Sequence, residues 1–190
     1  MEKKYTLKSL KQKLSNRIHE DDIHEACYYA QGIGGEGMRK MLYTLMFDED
    51  KRVSENAAWI LTHFDLHTNE WLYQKHDELI DEAMSTKSDS KRRLLLTLLL
   101  RQPFHEETVR TDFLDFCMEH MMSVAEPISV KAMCMKLAFE QCRFFPELLA
   151  ELRNALEIME PSMLTPGLKT ARKNVMKAIN LQLRQQQEQN

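Results

Sequence analysis

Apolar residues recur along this chain at intervals of three and four, the period of one face of an α-helix. Ten segments carry the pattern. Leu7, Leu10 and Leu14 mark the first, Ile23, Ala26, Cys27 and Ala30 the second, Met38, Met41, Leu42 and Leu45 the third, and Val53, Ala57, Ile60, Leu61 and Phe64 the fourth. Leu72, Leu79 and Ala83 follow, then Leu94, Leu95, Leu98 and Leu99, then Val109, Phe113, Phe116 and Cys117. The last three are Val130, Met133, Cys134 and Leu137; Leu148, Leu152, Leu156 and Met159; and Leu168, Ala171, Val175, Ala178 and Ile179. No strand-like alternation competes, so the pattern predicts an all-α protein.

The polar positions and breakers give the same segmentation. Pro103, Pro127, Pro146, Pro161 and Pro166 all fall between the periodic stretches, where a missing N–H and a fixed φ do no harm. Ser88-Asp89-Ser90 and Thr165-Pro166 offer side-chain oxygens just ahead of a helix, and Asp48, Glu49 and Asp50 bring negative charge to the start of another. Five glycines and five prolines in 190 residues are few for an all-β chain, whereas thirteen methionines suit helices. A 43% hydrophobic content is enough for a real core.

The segments pair. The first core residues of the second helices, Ile23, Val53, Leu94, Val130 and Leu168, imply a period near 40 residues with one helix pair per period. Such a pair buries its apolar face only by stacking on its neighbours. The pieces DEDKRVSENAAWIL (48–61), PISVKAMCMKLAF (127–139) and TPGLKTARKNVMKAI (165–179) each place a β-branched or Leu core residue ahead of a helix of small and apolar residues. On these pieces the chain resembles HEAT or armadillo-type repeats. Val130-Lys131 and Leu168-Lys169 match that family's basic residue after the apolar one, and Val53-Ser54 departs from it. The resemblance implies a right-handed α-α superhelix, a HEAT-like solenoid of about five helix pairs forming one domain over 1–184. Its approximate repeats are 3–33, 34–67, 68–102, 104–143 and 144–184, followed by a polar tail, 185–190, expected to have no core-facing residue. The first repeat is short and reads as an N-terminal cap.

Charge changes the picture once it is divided among the helices. The net charge is −3, but the first helices of the last three pairs (68–87, 104–126, 144–165) carry −3, −5 and −3, and their second helices (88–102, 128–143, 166–184) carry +3, +2 and +5. In the N-terminal half, 2–18 carries +5 and 19–31 carries −4. In HEAT-like stacks the second helices line the concave face, so the resemblance implies a basic concave surface in the C-terminal repeats. The candidate partner-binding or anion-binding residues are Lys131, Lys136 and Arg143 in the fourth pair and Lys169, Arg172, Lys173 and Lys177 in the fifth.

Other motifs carry less. Gly32-Ile33-Gly34-Gly35-Glu36-Gly37 precedes a helix but follows another helix rather than a strand, and no Lys-Ser/Thr pair comes after it, so it reads as a turn between repeats. His19 and His24 are five apart, which rotates them roughly 140° from each other on a helix. His63 and His67 are four apart but sit at a helix end, where histidine suits the dipole. Trp59 reads as a core or half-buried wall, and Phe144-Phe145 as a staple before Pro146. Cys27, Cys117, Cys134 and Cys142 lie in apolar patterns without C-x-x-C spacing and read as buried free thiols. We therefore name no catalytic residues, metal ligands or cofactor.

The expected function is a non-enzymatic interaction module that takes an acidic partner, another protein or an acidic macromolecule, with nucleic acid as the alternative. That alternative rests on similarity in fold to HEAT-like alkylpurine DNA glycosylases, and the Trp-Trp-Asp cluster of such an active site is not found here. The longest strongly apolar run, Leu94 to Leu100, is far short of the roughly 20 residues that span a bilayer, and the start MEKKYTLKSLKQ lacks a signal-peptide core. A cytoplasmic location without a membrane partner is the expectation.

Overall fold

In a computed structural model of the chain, the described residues are 5–160, 162 and 164–188, with no side-chain description beyond 186. They contain helices and no strand. Two compact units divide the chain, residues 1–102 and 103–190.

The first unit opens with α1 (Leu7–Leu14) and α2 (Glu20–Gln31), followed by α3 (Glu36–Met46) and α4 (Lys51–Leu61). A short α5 (Leu66–Asn69), a 3-10 turn over Glu70–Lys75, α6 (His76–Ser85) and α7 (Asp89–Leu100) complete it. The antiparallel pairs are α3 with α4 and α6 with α7, and α4 packs against α7. Caps define the starts: the Asp50 carboxylate accepts from the Arg52 N–H at 2.8 Å and the Val53 N–H at 3.2 Å, and Ser88 Oγ accepts from the Lys91 N–H at 3.2 Å. The stretch expected as one helix around Leu72 is split, because Asp65 caps a first turn through the Thr68 N–H and the chain tightens to 3-10 geometry before α6 resumes. Leu72, Leu79 and Ala83 are buried nonetheless. Residues 3–4 of the first expected repeat lie outside the described residues.

The second unit holds a 3-10 turn over Glu106–Thr108, α8 (Thr111–Met122), α9 (Ile128–Cys142), α10 (Pro146–Ile158) and α11 (Pro166–Glu188). Here α8 packs on α9, and α11 packs on both α9 and α10. Pro146 and Pro166 occupy first helical positions, where proline's missing donor is harmless. The buried stripe of α10 uses Leu149, Leu152 and Leu156, one residue off the expected Leu148. Pro161 lies outside the described residues.

The repeat period reappears as side-chain to main-chain hydrogen bonds. Asn56 Nδ2 donates to the Leu14 carbonyl at 2.8 Å and to the Asn16 carbonyl at 3.0 Å, 42 and 40 residues back. Arg101 Nη1 donates to the Thr62 carbonyl at 2.6 Å, 39 residues back, and its Nη2 to the Phe64 carbonyl. In the second unit, Arg143 Nη2 donates to the Phe104 carbonyl at 3.1 Å, and Gln182 and Gln186 donate to the Arg143 carbonyl at 3.3 and 3.1 Å. These acceptors lie at or just beyond helix ends, where carbonyls lack intrahelical partners. Residues 185–188 continue α11, and Gln186 ties it to the end of α9.

Candidate functional site

The last helix is built by its own periodicity. Leu168, Ala171, Val175 and Ile179 are buried against α9 and α10, each burial being worth up to a few kcal/mol. Turning away from that stripe at 100° per residue brings Lys169, Lys173 and Lys177 onto the outward face, all exposed, followed two turns later by exposed Arg184. Successive lysines rise by about 6 Å along the axis. None of these four cations has an ion-pair partner among the described residues. Arg172, Met176, Asn180 and Leu181 complete the lining of a shallow groove of about 510 Å³ with Lys173, Lys177 and Arg184.

Two of the expected cations do other work. Arg172 Nε donates to the Leu156 carbonyl at 2.6 Å, in the last turn of α10, where a cation meets the negative end of the helix dipole. Arg143 divides its guanidinium between the Phe104 carbonyl and Glu140 Oε2 at 3.3 Å, and it lies 4.9 Å above the Phe144 ring. Both arginines bind main chain within their own unit and are half-buried, so they are fastenings of the scaffold rather than free cations. On α9, Lys136 is exposed and Lys131 is half-buried. The structure thus brings Lys169, Lys173 and Lys177 onto one face, adds Arg184, and draws Arg143 and Arg172 into helix packing. Arg184 follows Lys177 by seven residues, a spacing legible in the sequence.

The remaining motifs fall into structural places. The glycine segment is a turn in which Gly34 takes φ +79° and Gly35 sits against the Ala30 carbonyl. It borders a groove of about 560 Å³ shared with Arg39, His67, Glu70 and Trp71. Arg39 Nη1 donates to the Ala30 carbonyl at 2.6 Å. His63 Nδ1 lies 2.9 Å from the Trp59 carbonyl, and His67 is 3.7 Å from Glu70. His19 occupies the cap position of α2, and His24 is exposed beside Glu20 at 3.9 Å. Among the described residues no group of three or more His, Cys, Asp or Glu is placed to hold a metal ion. Trp59, expected as a core or half-buried wall, is instead exposed at 37% and packs edge-on to His63, and Trp71 packs edge-on to Tyr43. All four cysteines are buried free thiols, and burial pushes Cys27 up to about 11 and Cys142 up to about 12, which leaves almost no thiolate at neutral pH. No described helix is long and apolar enough to cross a membrane.

Comparison with known proteins agrees with this architecture. No curated protein and no solved structure matches the chain. A family model described as a HEAT repeat domain matches residues 10–179, which takes in helices of both units. The period near 40, the helix pairs and this match place the chain in the HEAT repeat family.

Proposed function

We propose that the chain is an interaction module whose second unit engages an acidic protein partner through the outward face of α11. Lys169, Lys173, Lys177 and Arg184 supply the cations there, with Lys136 on α9 as an outlying contributor. The observation that carries this reading is a row of exposed lysines on the last helix, unpaired among the described residues, in a protein of net charge −3. HEAT repeats serve as scaffolds for macromolecular contacts, and this face offers charge without a catalytic constellation.

Nucleic acid is the weaker reading. A duplex needs a broad field of positive charge, whereas α10, packed beside α11, exposes Glu147 and Glu151. No aromatic side chain stands on α11 to stack a base.

The test is fluorescence anisotropy of labelled polyglutamate and labelled duplex DNA with the purified protein across a salt series. Polyglutamate binding should weaken with salt and fall by roughly tenfold or more in the K169E/K173E/K177E triple variant, whose exposed sites leave the fold intact. Unchanged binding in that variant would remove α11 from the function, and tight duplex binding lost in the same variant would replace the protein partner with nucleic acid.

A further inference from the structure

We infer that the partner segment received by α11 is itself an α-helix, with acidic residues at four-residue spacing and an aliphatic side chain beyond them. This deepens the reading of the α11 face given above and rests on it.

The order of side chains along the face is the first observation. Lys169, Lys173 and Lys177 form a single ridge, and the next seven residues place Asn180 and Leu181 before the cation returns at Arg184. Leu181 is 57% exposed, and half-buried Met176 lies between the cations in the same groove. A phosphodiester strand, charged at every step, would set a phosphate against this apolar interval. An amphipathic peptide sets a Leu, Ile or Met there and its carboxylates against the three lysines.

The second observation is what the surface lacks as a template for extended chain. The described residues contain no strand, so an extended peptide finds no edge with which to pair its backbone. A helix satisfies its own N–H and C=O groups and can lie along another helix by side chains alone. Carboxylates four residues apart rise by the same step as Lys169, Lys173 and Lys177, about 6 Å, so three pairs form in register.

The acids of α10 supply the third. Exposed Glu147 and Glu151 stand on the helix packed beside α11, and they repel a polyanion that spreads beyond the ridge while leaving room for a narrow acidic stripe.

The experiment compares two labelled peptides of identical composition and equal helix content. One carries Glu at i, i+4 and i+8 with Leu at i+12; the other distributes the same residues around the helix. Binding is read by anisotropy on the full chain, alongside K169E/K173E/K177E and L181D, with circular dichroism and thermal melts confirming that the variants fold. We expect the patterned peptide to bind on the order of tenfold more tightly than the distributed one. That preference should vanish in the triple variant and shrink several-fold in L181D. Equal binding of the two peptides, lost in the triple variant, would overturn the helical partner while leaving α11 as an acid-binding face. Peptide binding that the triple variant does not change would overturn both. Single-stranded or duplex DNA bound more tightly than the patterned peptide through the same lysines, or self-association of the protein lost in the triple variant, would give the face to a phosphodiester or to a second copy and overturn the inference.

Discussion

Arg143, at the end of α9, donates through Nη2 to the main-chain carbonyl of Phe104, 39 residues earlier, at 3.1 Å. Arg101 does the same in the first unit, reaching the Thr62 and Phe64 carbonyls 39 and 37 residues back. A charged donor on a loop or helix-end carbonyl contributes about 1.5–3 kcal/mol where solvent is partly excluded. Arg143→Met should therefore lower stability by about 1–3 kcal/mol, while Lys136→Met, exposed on the same helix, should stay within about 0.5 kcal/mol of the parent. Urea midpoints of the two variants check this. Equal midpoints would mean that the tie to Phe104 holds nothing together.

Gly35, in the turn before α3, and Gly37, in its first turn, should respond in opposite directions. A Cβ on Gly35 would run into the Ala30 carbonyl oxygen, which is main chain and cannot swing aside, so Gly35→Ala should cost about 1–3 kcal/mol. Gly37 lies within α3 and a Cβ there meets nothing within 4 Å, so Gly37→Ala should be neutral or add up to about 1 kcal/mol through helix propensity. Thermal melts of the pair decide it, and a destabilised Gly37→Ala would show that the start of α3 depends on a missing side chain there.

Acid should weaken the first unit through identifiable carboxylates. The Lys11 ammonium, 2.6 Å away, and then the Asp50 N–H hold Asp48 below the usual carboxylate range. The His19 N–H and then Lys13 do so for Asp22, the Thr68 N–H for Asp65, and Lys75 and then the Tyr43 hydroxyl for Glu78. A carboxyl with a depressed folded-state pKa stabilises the fold above its unfolded value near 4, and that contribution is lost as pH falls through the folded value. The contribution of these groups should thus be level from pH 7 to about 5 and decline below about 4. Asp48→Asn should flatten part of that decline in urea titrations at pH 3 to 7. An unchanged slope would show that the Lys11 pair is not coupled to folding.

Most of the fold was legible because it depends on where apolar residues recur, and that is a property of the sequence alone. Ile23, Val53, Leu94, Val130 and Leu168 are all buried where the period placed them. Legibility failed where two neighbouring residues were equally apolar, as at Leu148 and Leu149, and where a local cap redirected the chain, as Asp65 does ahead of Leu72. The α11 face was half legible. Lys169, Lys173 and Lys177 followed from the wheel, but Arg172 and Arg143 look like any surface cation until the Leu156 and Phe104 carbonyls are seen beside them. Sequence counts charges and does not show which carbonyl lies within reach of a guanidinium.

The ties that reach about 40 residues back along the chain also bear on how such a chain tolerates change. In each, the accepting atom is a main-chain carbonyl, which every residue possesses, so only the donor side, Asn56, Arg101, Arg143, Gln182 or Gln186, is restricted in identity. Leu14, Thr62, Phe64 and Phe104 can be exchanged for other residues without deleting the acceptor, so long as packing at each is kept. Repeats tied in this way can drift apart in sequence and still remain in phase, because what recurs is a distance along the chain and not a motif.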